Sequence, residues 1–429
     1  MQEKAIRIIP GMTQLLSKRP DKFCKGVWPT YYAEAKGTEV TDLDGNKYLD
    51  FSIGGIGATV LGYADEEVND AVIDAIRKGS ACSLNPAEEV KLAEKLIELH
   101  PWADMARFAR GGGEAMSIAV RIARVATGKE KILFCGYHGW CDWYLAANLG
   151  KKGALDDQWI AGLNPNGVPK GLTGTAIPFH FNDVEDFKHA LEEAGDDLAA
   201  IVMEPIRNYE PTPEFIDAVH HAAHERHIPL IIDEITAAFR ICNGGAHLKL
   251  GFHPDMAVFS KALGQGFCSS AVIGKKWVMS SAEDAFITST AWTERIGSTA
   301  ALAMIEKFVR VDAARHMMHI ADLVQSVWEE KAEKYGFKIH IGGFNPLIHF
   351  SFEDDHAVRI SYFSQEMLKR GFLASGSFYA MYAHTEQQVE KYAFAVDEVF
   401  GQLAELVREG KVADMLEGLP VQPGFARIN

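Results

Sequence analysis

Two short apolar runs in this chain each end on a charged residue. Ile228-Pro229-Leu230-Ile231-Ile232 runs into Asp233-Glu234, and Met256-Ala257-Val258-Phe259 runs through Ser260 into Lys261. Neither run alternates polar with apolar residues, so both read as strands buried on two faces, the habit of parallel sheets. From about residue 67 such runs alternate with helical patterns. Helical periods cover Val68 to Arg77 and Ala87 to Leu99, and strand-like runs cover Lys131 to Phe134 and Ala199 to Met203. That alternation predicts an α/β fold with a mostly parallel central sheet flanked by helices. Ligands of such sheets bind beyond the carboxyl ends of the strands, where Asp233 and Lys261 fall.

The rest of the chain frames this sheet. Glu39 to Leu43 and Lys47 to Phe51 flank Asp44-Gly45-Asn46, a hairpin signal. Residues 150–176 are rich in Gly, Asn and Pro and read as a long loop. Helical pattern dominates about 299–335, a connection into a C-terminal domain in which Pro346 to Phe352 is strand-like. The expected division is an N-terminal segment and hairpin over 1–66, a large domain over 67–310 and a C-terminal part over 311–429. Both chain ends then build one smaller α+β domain.

Charge and cysteines narrow the function. A net charge of −15 argues against nucleic acid, whose phosphates demand a basic patch. The six cysteines form no CxxC pair and read as reduced thiols of a cytoplasmic enzyme. The opening residues MQEKAIRIIPGMTQLL lack the apolar core of a signal peptide, and no apolar stretch approaches the ~18 residues of a membrane span. His220 and His224 stand four apart in a helical pattern with His221 and His227 nearby, but without a third ligand signal they read as a solvated face, and no metal is expected.

Chemistry collects around the two strand ends. A lysine there can form a Schiff base with the aldehyde of pyridoxal phosphate (PLP), and an aspartate can keep the pyridine nitrogen protonated. Gly111-Gly112-Gly113 feeds a helical run, Glu114 to Arg124, whose first N–H groups suit a phosphate. Alone this signal is weak, because glycine turns before helices are common. Tyr137-His138 follows the Lys131–Phe134 strand; the aromatic either stacks on a ring or simply packs in a loop. Arg240 either holds a substrate carboxylate or pairs with a nearby acid.

The order and combination of GGGEAMSIAVRIARVATGKEKI, GYHGWCDW, IVMEPI, IPLIIDEITAAFR, PDMAVFSKALGQGF and GFLASGSFYAMYAHTEQQVEK resemble the class III PLP-dependent aminotransferases, above all the branch around glutamate-1-semialdehyde aminomutase. The resemblance covers most of the chain and implies a fold-type-I PLP-dependent transferase. It implies Lys261 as the Schiff-base lysine and proton shuttle, and Asp233 as the pyridinium partner. Gly112 and Gly113 correspond to the phosphate turn, although the family usually carries Ser-Gly-Thr there. Tyr137 corresponds to the ring-stacking aromatic, with His138 beside it. Glu204 corresponds to the acid of the family's Glu-Pro motif, and Asn208 to a contact with the cofactor's phenolic oxygen. Thr290 corresponds to a threonine reaching the phosphate of the neighbouring subunit, which implies a homodimer with shared active sites. Trp28 and Tyr31 stand where the family places part of its substrate pocket, though they serve equally as core or interface aromatics.

After Thr290 the aminomutase branch usually reads GTLSGNP. Here Trp292, Glu294 and Arg295 bring bulk and charge, and Glu294 and Arg295 become substrate candidates. In this segment the chain resembles instead the transaminases that act on sugar-like or polyhydroxylated carbonyl compounds of surface-polysaccharide pathways, which implies an acceptor such as an 8-keto octulosonate-type sugar acid. The expected partners are small molecules, with L-glutamate as amino donor in a ping-pong cycle. The alternatives are a 1,2-aminomutase, an epimerase or racemase on the same scaffold, and a PLP-binding protein without catalysis.

Overall fold

A computed structural model of the protein describes residues 1–425. The chain divides into two compact units, one formed by Glu66–Asp312 and one by Met1–Asp65 together with the chain from Ala313 onward.

The first unit is built on a seven-stranded sheet. Its strands are β1 (Met105–Ala109), β2 (Lys131–Cys135), β3 (Ala176–Pro178), β4 (Leu198–Met203), β5 (Leu230–Asp233), β6 (Met256–Phe259) and β7 (Ser270–Gly274). Their order across the sheet is β1-β7-β6-β5-β4-β2-β3. The pairs β6–β5, β5–β4, β4–β2 and β2–β3 are parallel, and β7 runs antiparallel to both β1 and β6.

The apolar runs make this sheet because both of its faces are covered. Ile132, Phe134, Ala200, Val202 and Ile231 enter one buried cluster with the helix Gly112–Thr127. Leu133, Cys135, Ile201, Met203, Leu230 and Ile232 enter another, with Phe187, Phe215 and Val219 from the helices Val184–Ala194 and Pro213–Glu225. Successive strand residues point to opposite faces, so a strand wetted on neither face has no place for polar residues.

The second unit holds two small sheets. Tyr32–Lys36, Glu39–Asp42 and Lys47–Phe51 are antiparallel, and Phe372–Ala374 adds in parallel beside Lys47–Phe51. The expected hairpin is there, and Asp42 Oδ1 accepts from the backbone N–H of Asp44 and Asn46, both at 2.9 Å. Ile339–Phe344, Leu347–Phe352 and Ser377–Tyr379 form the other sheet. The helical stretch expected over 299–335 is two helices, Ile296–Arg310 and Ala313–Tyr335. Asp312, at φ 50°, breaks them and also marks the end of the first unit. All six cysteines are free thiols. Among the described residues, no helix is long and apolar enough to cross a membrane.

Candidate active site

Five strands of the first unit deliver polar groups at their carboxyl ends. β5 supplies Asp233, which is 3% exposed. Its Oδ1 accepts from the backbone N–H of Ile235 at 3.0 Å, and its Oδ2 lies 2.8 Å from His138 Nδ1. His138 follows β2 and is also buried. Its Nε2 lies 3.1 Å from the Cys135 carbonyl. The imidazole therefore spans β2 and β5 and fixes the Asp233 carboxylate in one orientation.

Lys261 follows β6 in a left-handed conformation, φ 47°, at the head of the short turn Lys261–Gly264. Its Nζ donates to Thr236 Oγ1 at 2.8 Å. Burial pushes the ammonium's pKa down from 10.5 to about 8. The carboxylates of Glu204 and Asp233 oppose that shift, and the guanidiniums of Arg240 and Arg207 reinforce it.

β1 ends at Ala109 and leads to the glycine turn. Gly111 is extended, and the helix begins at Gly112. Glu114 Oε2 accepts from the backbone N–H of Arg110 at 2.9 Å and of Gly111 at 3.3 Å. Among the described residues the N–H groups of Gly112 and Gly113 have no partner. The glycines leave no room for side chains of their own at this corner. A Cβ on Gly112 would lie 2.9 Å from Ile235 Cδ1, and one on Gly139 (φ 100°) would lie 2.9 Å from Gly113 Cα. A helix start of two glycines with open N–H groups is a cradle for an anion.

β4 ends at Met203 and presents Glu204, which is 7% exposed. Glu204 Oε2 accepts from the backbone N–H of Tyr137 at 3.0 Å and from Arg207 Nη1 at 3.1 Å. Gly136 lets Glu204 approach: at φ 106°, a Cβ there would sit 2.4 Å from Glu204 Oε2. Tyr137 packs on Trp159 with ring centroids 4.0 Å apart, and burial pushes its phenol pKa up. Trp159 and Gln158 belong to the segment expected to be a loop, which is made of turns and one short 3-10 helix, Lys170–Leu172. Gln158 Oε1 accepts from Gly136 N–H at 2.8 Å, and its carbonyl accepts from Arg207 Nη1 at 2.5 Å.

The remaining candidates are spread out. Asn208 is exposed. Thr290 is exposed and opens the 3-10 turn Thr290–Thr293. Glu294 caps the helix Ile296–Arg310, accepting from the N–H of Ile296 at 2.7 Å and of Gly297 at 3.1 Å, and pairs with Arg110 at 3.0 Å. Arg295 pairs with Glu88 at 3.0 Å. Arg240 is 1% exposed, and its Nε donates to the Thr236 carbonyl at 3.2 Å. In the other unit, Trp28 is buried and stacks on Phe23 at 4.1 Å, and Tyr31 is half-buried.

An anion cradle, a buried carboxylate and a lysine of lowered pKa, all at one sheet edge, fit PLP: phosphate, pyridine nitrogen and aldehyde each have a matching group. Residues 24–389 match the family described as aminotransferase class-III. The chain belongs to the class-III aminotransferases. It is 32% identical to a 3-aminobutyryl-CoA aminotransferase of Cloacimonas acidaminovorans (strain Evry), over 94% of this chain and 96% of that one. It is 29% identical to a 2'-deamino-2'-hydroxyneamine transaminase of Streptomyces kanamyceticus, over 89% and 93%. A glutamate-1-semialdehyde 2,1-aminomutase of Methanocaldococcus jannaschii is 30% identical, over 87% and 92%. Among solved structures, the PLP internal aldimine form of the FumI protein of Sphingopyxis sp. MTA144 superimposes with a TM-score of 0.86 at 22% identity, covering 99% of this chain and 97% of that one. The fold is that of the fold-type-I PLP-dependent transaminases, and this class-III aminotransferase is a PLP-dependent transaminase.

Four site residues carried no recognisable signal in the sequence: Thr236, Arg207, Gln158 and Trp159. Thr236 lies three residues past Asp233, and only the left-handed turn at Lys261 brings the amine to it.

Proposed function

We propose that this transaminase moves the amino group of L-glutamate to the carbonyl of a sugar-like, polyhydroxylated acceptor in a ping-pong cycle. The observation that carries the reading is Lys261: an amine with a pKa of about 8, held by Thr236 near two carboxylates at the sheet edge. PLP, when bound, supplies the electron sink for carbanion chemistry. In this reading Lys261 Nζ would hold the cofactor's aldehyde and would be the group that moves the donor's α-proton. An amine that titrates near neutral pH suits both directions of transfer. Asp233, oriented by His138, faces the pyridine nitrogen and keeps it protonated. Gly112 and Gly113 hold the phosphate through backbone N–H groups, Tyr137 covers the ring, and Glu204 sets Tyr137 through its backbone. Asn208 reaches the phenolic oxygen. Thr290 completes the phosphate site of a second copy, so the working form is a homodimer in the cytoplasm. Glu294 and Arg295 border the acceptor through the turn they organise. Support for a polyhydroxylated acceptor comes from the charged segment after Thr290 and from the relative whose name specifies a neamine derivative.

The test is the absorption spectrum of the PLP-loaded protein before and after L-glutamate. Loss of the yellow band with release of 2-oxoglutarate is expected. A yellow protein that leaves glutamate untouched would refute the donor. Turnover of a single amino compound with no separate donor would make the enzyme an aminomutase.

A further inference from the structure

Two guanidiniums act on the charge of Lys261, those of Arg240 and Arg207. They differ in access. Arg240 is 1% exposed, whereas the Arg207 side chain keeps 31% of its surface open. Arg207 is also held in a particular way. Its Nη1 donates to Glu204 Oε2 at 3.1 Å and to the Gln158 carbonyl at 2.5 Å. The opposite edge, formed by Nε and Nη2, has no partner among the described residues. That edge presents two parallel N–H bonds, the geometry that grips a carboxylate with both oxygens. Two protein oxygens therefore fix the plate beside Glu204, and its carboxylate-matching side is left without a partner among the described residues. In a chain of net charge −15, an anionic substrate needs such a local cation.

We propose that Arg207 is the anchor for a carboxylate of the amino donor, an amino dicarboxylic acid, gripped through Nε and Nη2 while Nη1 stays on Glu204 and Gln158. The inference rests on the transaminase reading above and deepens it, since it assigns the residue that selects an acidic donor. The same edge would then meet the carboxylate of an acidic acceptor in the second half of the cycle.

The probe is glutarate, a dicarboxylate without an amine, titrated calorimetrically into the PLP-loaded enzyme. Wild type is expected to bind it. Arg207→Ala is expected to weaken binding about 10- to 100-fold, the loss of charge-assisted hydrogen bonds. Arg207→Lys keeps the charge but loses the two-pronged edge, and a loss of about fivefold or more is expected. This variant also serves if Arg207→Ala fails to fold. In spectral titrations the KM for L-glutamate should rise in parallel, with a smaller change in kcat. Glutarate binding that is unchanged in a yellow Arg207→Lys or Arg207→Ala protein overturns the assignment, and so does a wild type that binds no glutarate. Glutarate does not react, so this result stands apart from the donor test: glutamate can fail as donor while Arg207 still holds glutarate.

Discussion

The acidity of Lys261 sets how fast the empty protein captures its cofactor, because only the neutral amine attacks an aldehyde. An ordinary lysine with a pKa of 10.5 is neutral in about 0.03% of molecules at pH 7, whereas one near 8 is neutral in about 9%, so the gain is roughly 300-fold. The capture rate of apoenzyme mixed with PLP, followed as the growth of yellow absorption, should climb tenfold per pH unit up to about 8 and then level off. PLP titrates too, so each rate is divided by that of N-acetyl-lysine in the same buffer. Glu204 is the largest of the neighbouring charges that hold the pKa up, and Glu204→Gln should move the inflection below 8. A normalised rate with no inflection between pH 7 and 9 would refute the claim that burial has lowered the lysine.

Three further outcomes follow from the geometry. Asp233→Asn removes the charge proposed to pair with the pyridine nitrogen; by analogy with breaking a buried ion pair, about 3–5 kcal/mol, kcat should fall by about two to four decades while the protein still turns yellow. Gly136→Ala forces a Cβ onto Glu204 at a φ that side chains avoid, and should cost about 1–3 kcal/mol in urea unfolding and weaken PLP binding; an unchanged midpoint would mean the loop relaxes freely. His100 is fully buried, accepts from Gly245 N–H at 2.9 Å through Nε2, and has its pKa lowered by burial from 6.5 to about 4. The unfolded chain takes up that proton first, so this contribution is intact above pH 6.5 and is lost as pH falls toward 4, about 3 kcal/mol in all; His100→Gln should flatten the acid limb of stability measured by urea titration.

The sheet was legible in the sequence because β2, β4, β5 and β6 are buried on both faces and read as unbroken apolar runs. Asp233 and Lys261 were legible for the same reason, as abrupt charges where such runs stop. The hairpin showed itself through turn chemistry that is local to Asp44-Gly45. What stayed hidden depends on return paths. Gln158 and Trp159 lie in a stretch without period, and their place beside Gly136 and Tyr137 comes from how that stretch folds back. Thr236 carries no mark that it will meet a lysine from the next strand. The spacing of Glu294 and Arg295 says nothing of Arg110 and Glu88, the partners they pair with. The break at Asp312 was invisible because apolar spacing continues across it and only the backbone angle changes.

The place of β7 has a consequence for the order in which the protein assembles. β1 has no neighbour in the sheet except β7, and the whole stretch from Ala109 to Ser270 separates them in sequence. Until Ser270–Gly274 has left the ribosome, β1 has nothing to pair with, and Gly111-Gly112-Gly113, which it carries, has no fixed position. Closing so long a loop is slow and comes at a late stage of folding. The anion cradle is therefore finished after β5 and β6, which carry Asp233 and Lys261, have paired. A nascent chain would bind its cofactor only once the antiparallel strand has slotted in, which makes the yellow colour a report that the last strand of the sheet is home. Cofactor in excess then holds that late step closed by mass action, about 2.7 kcal/mol at a hundredfold over its Kd.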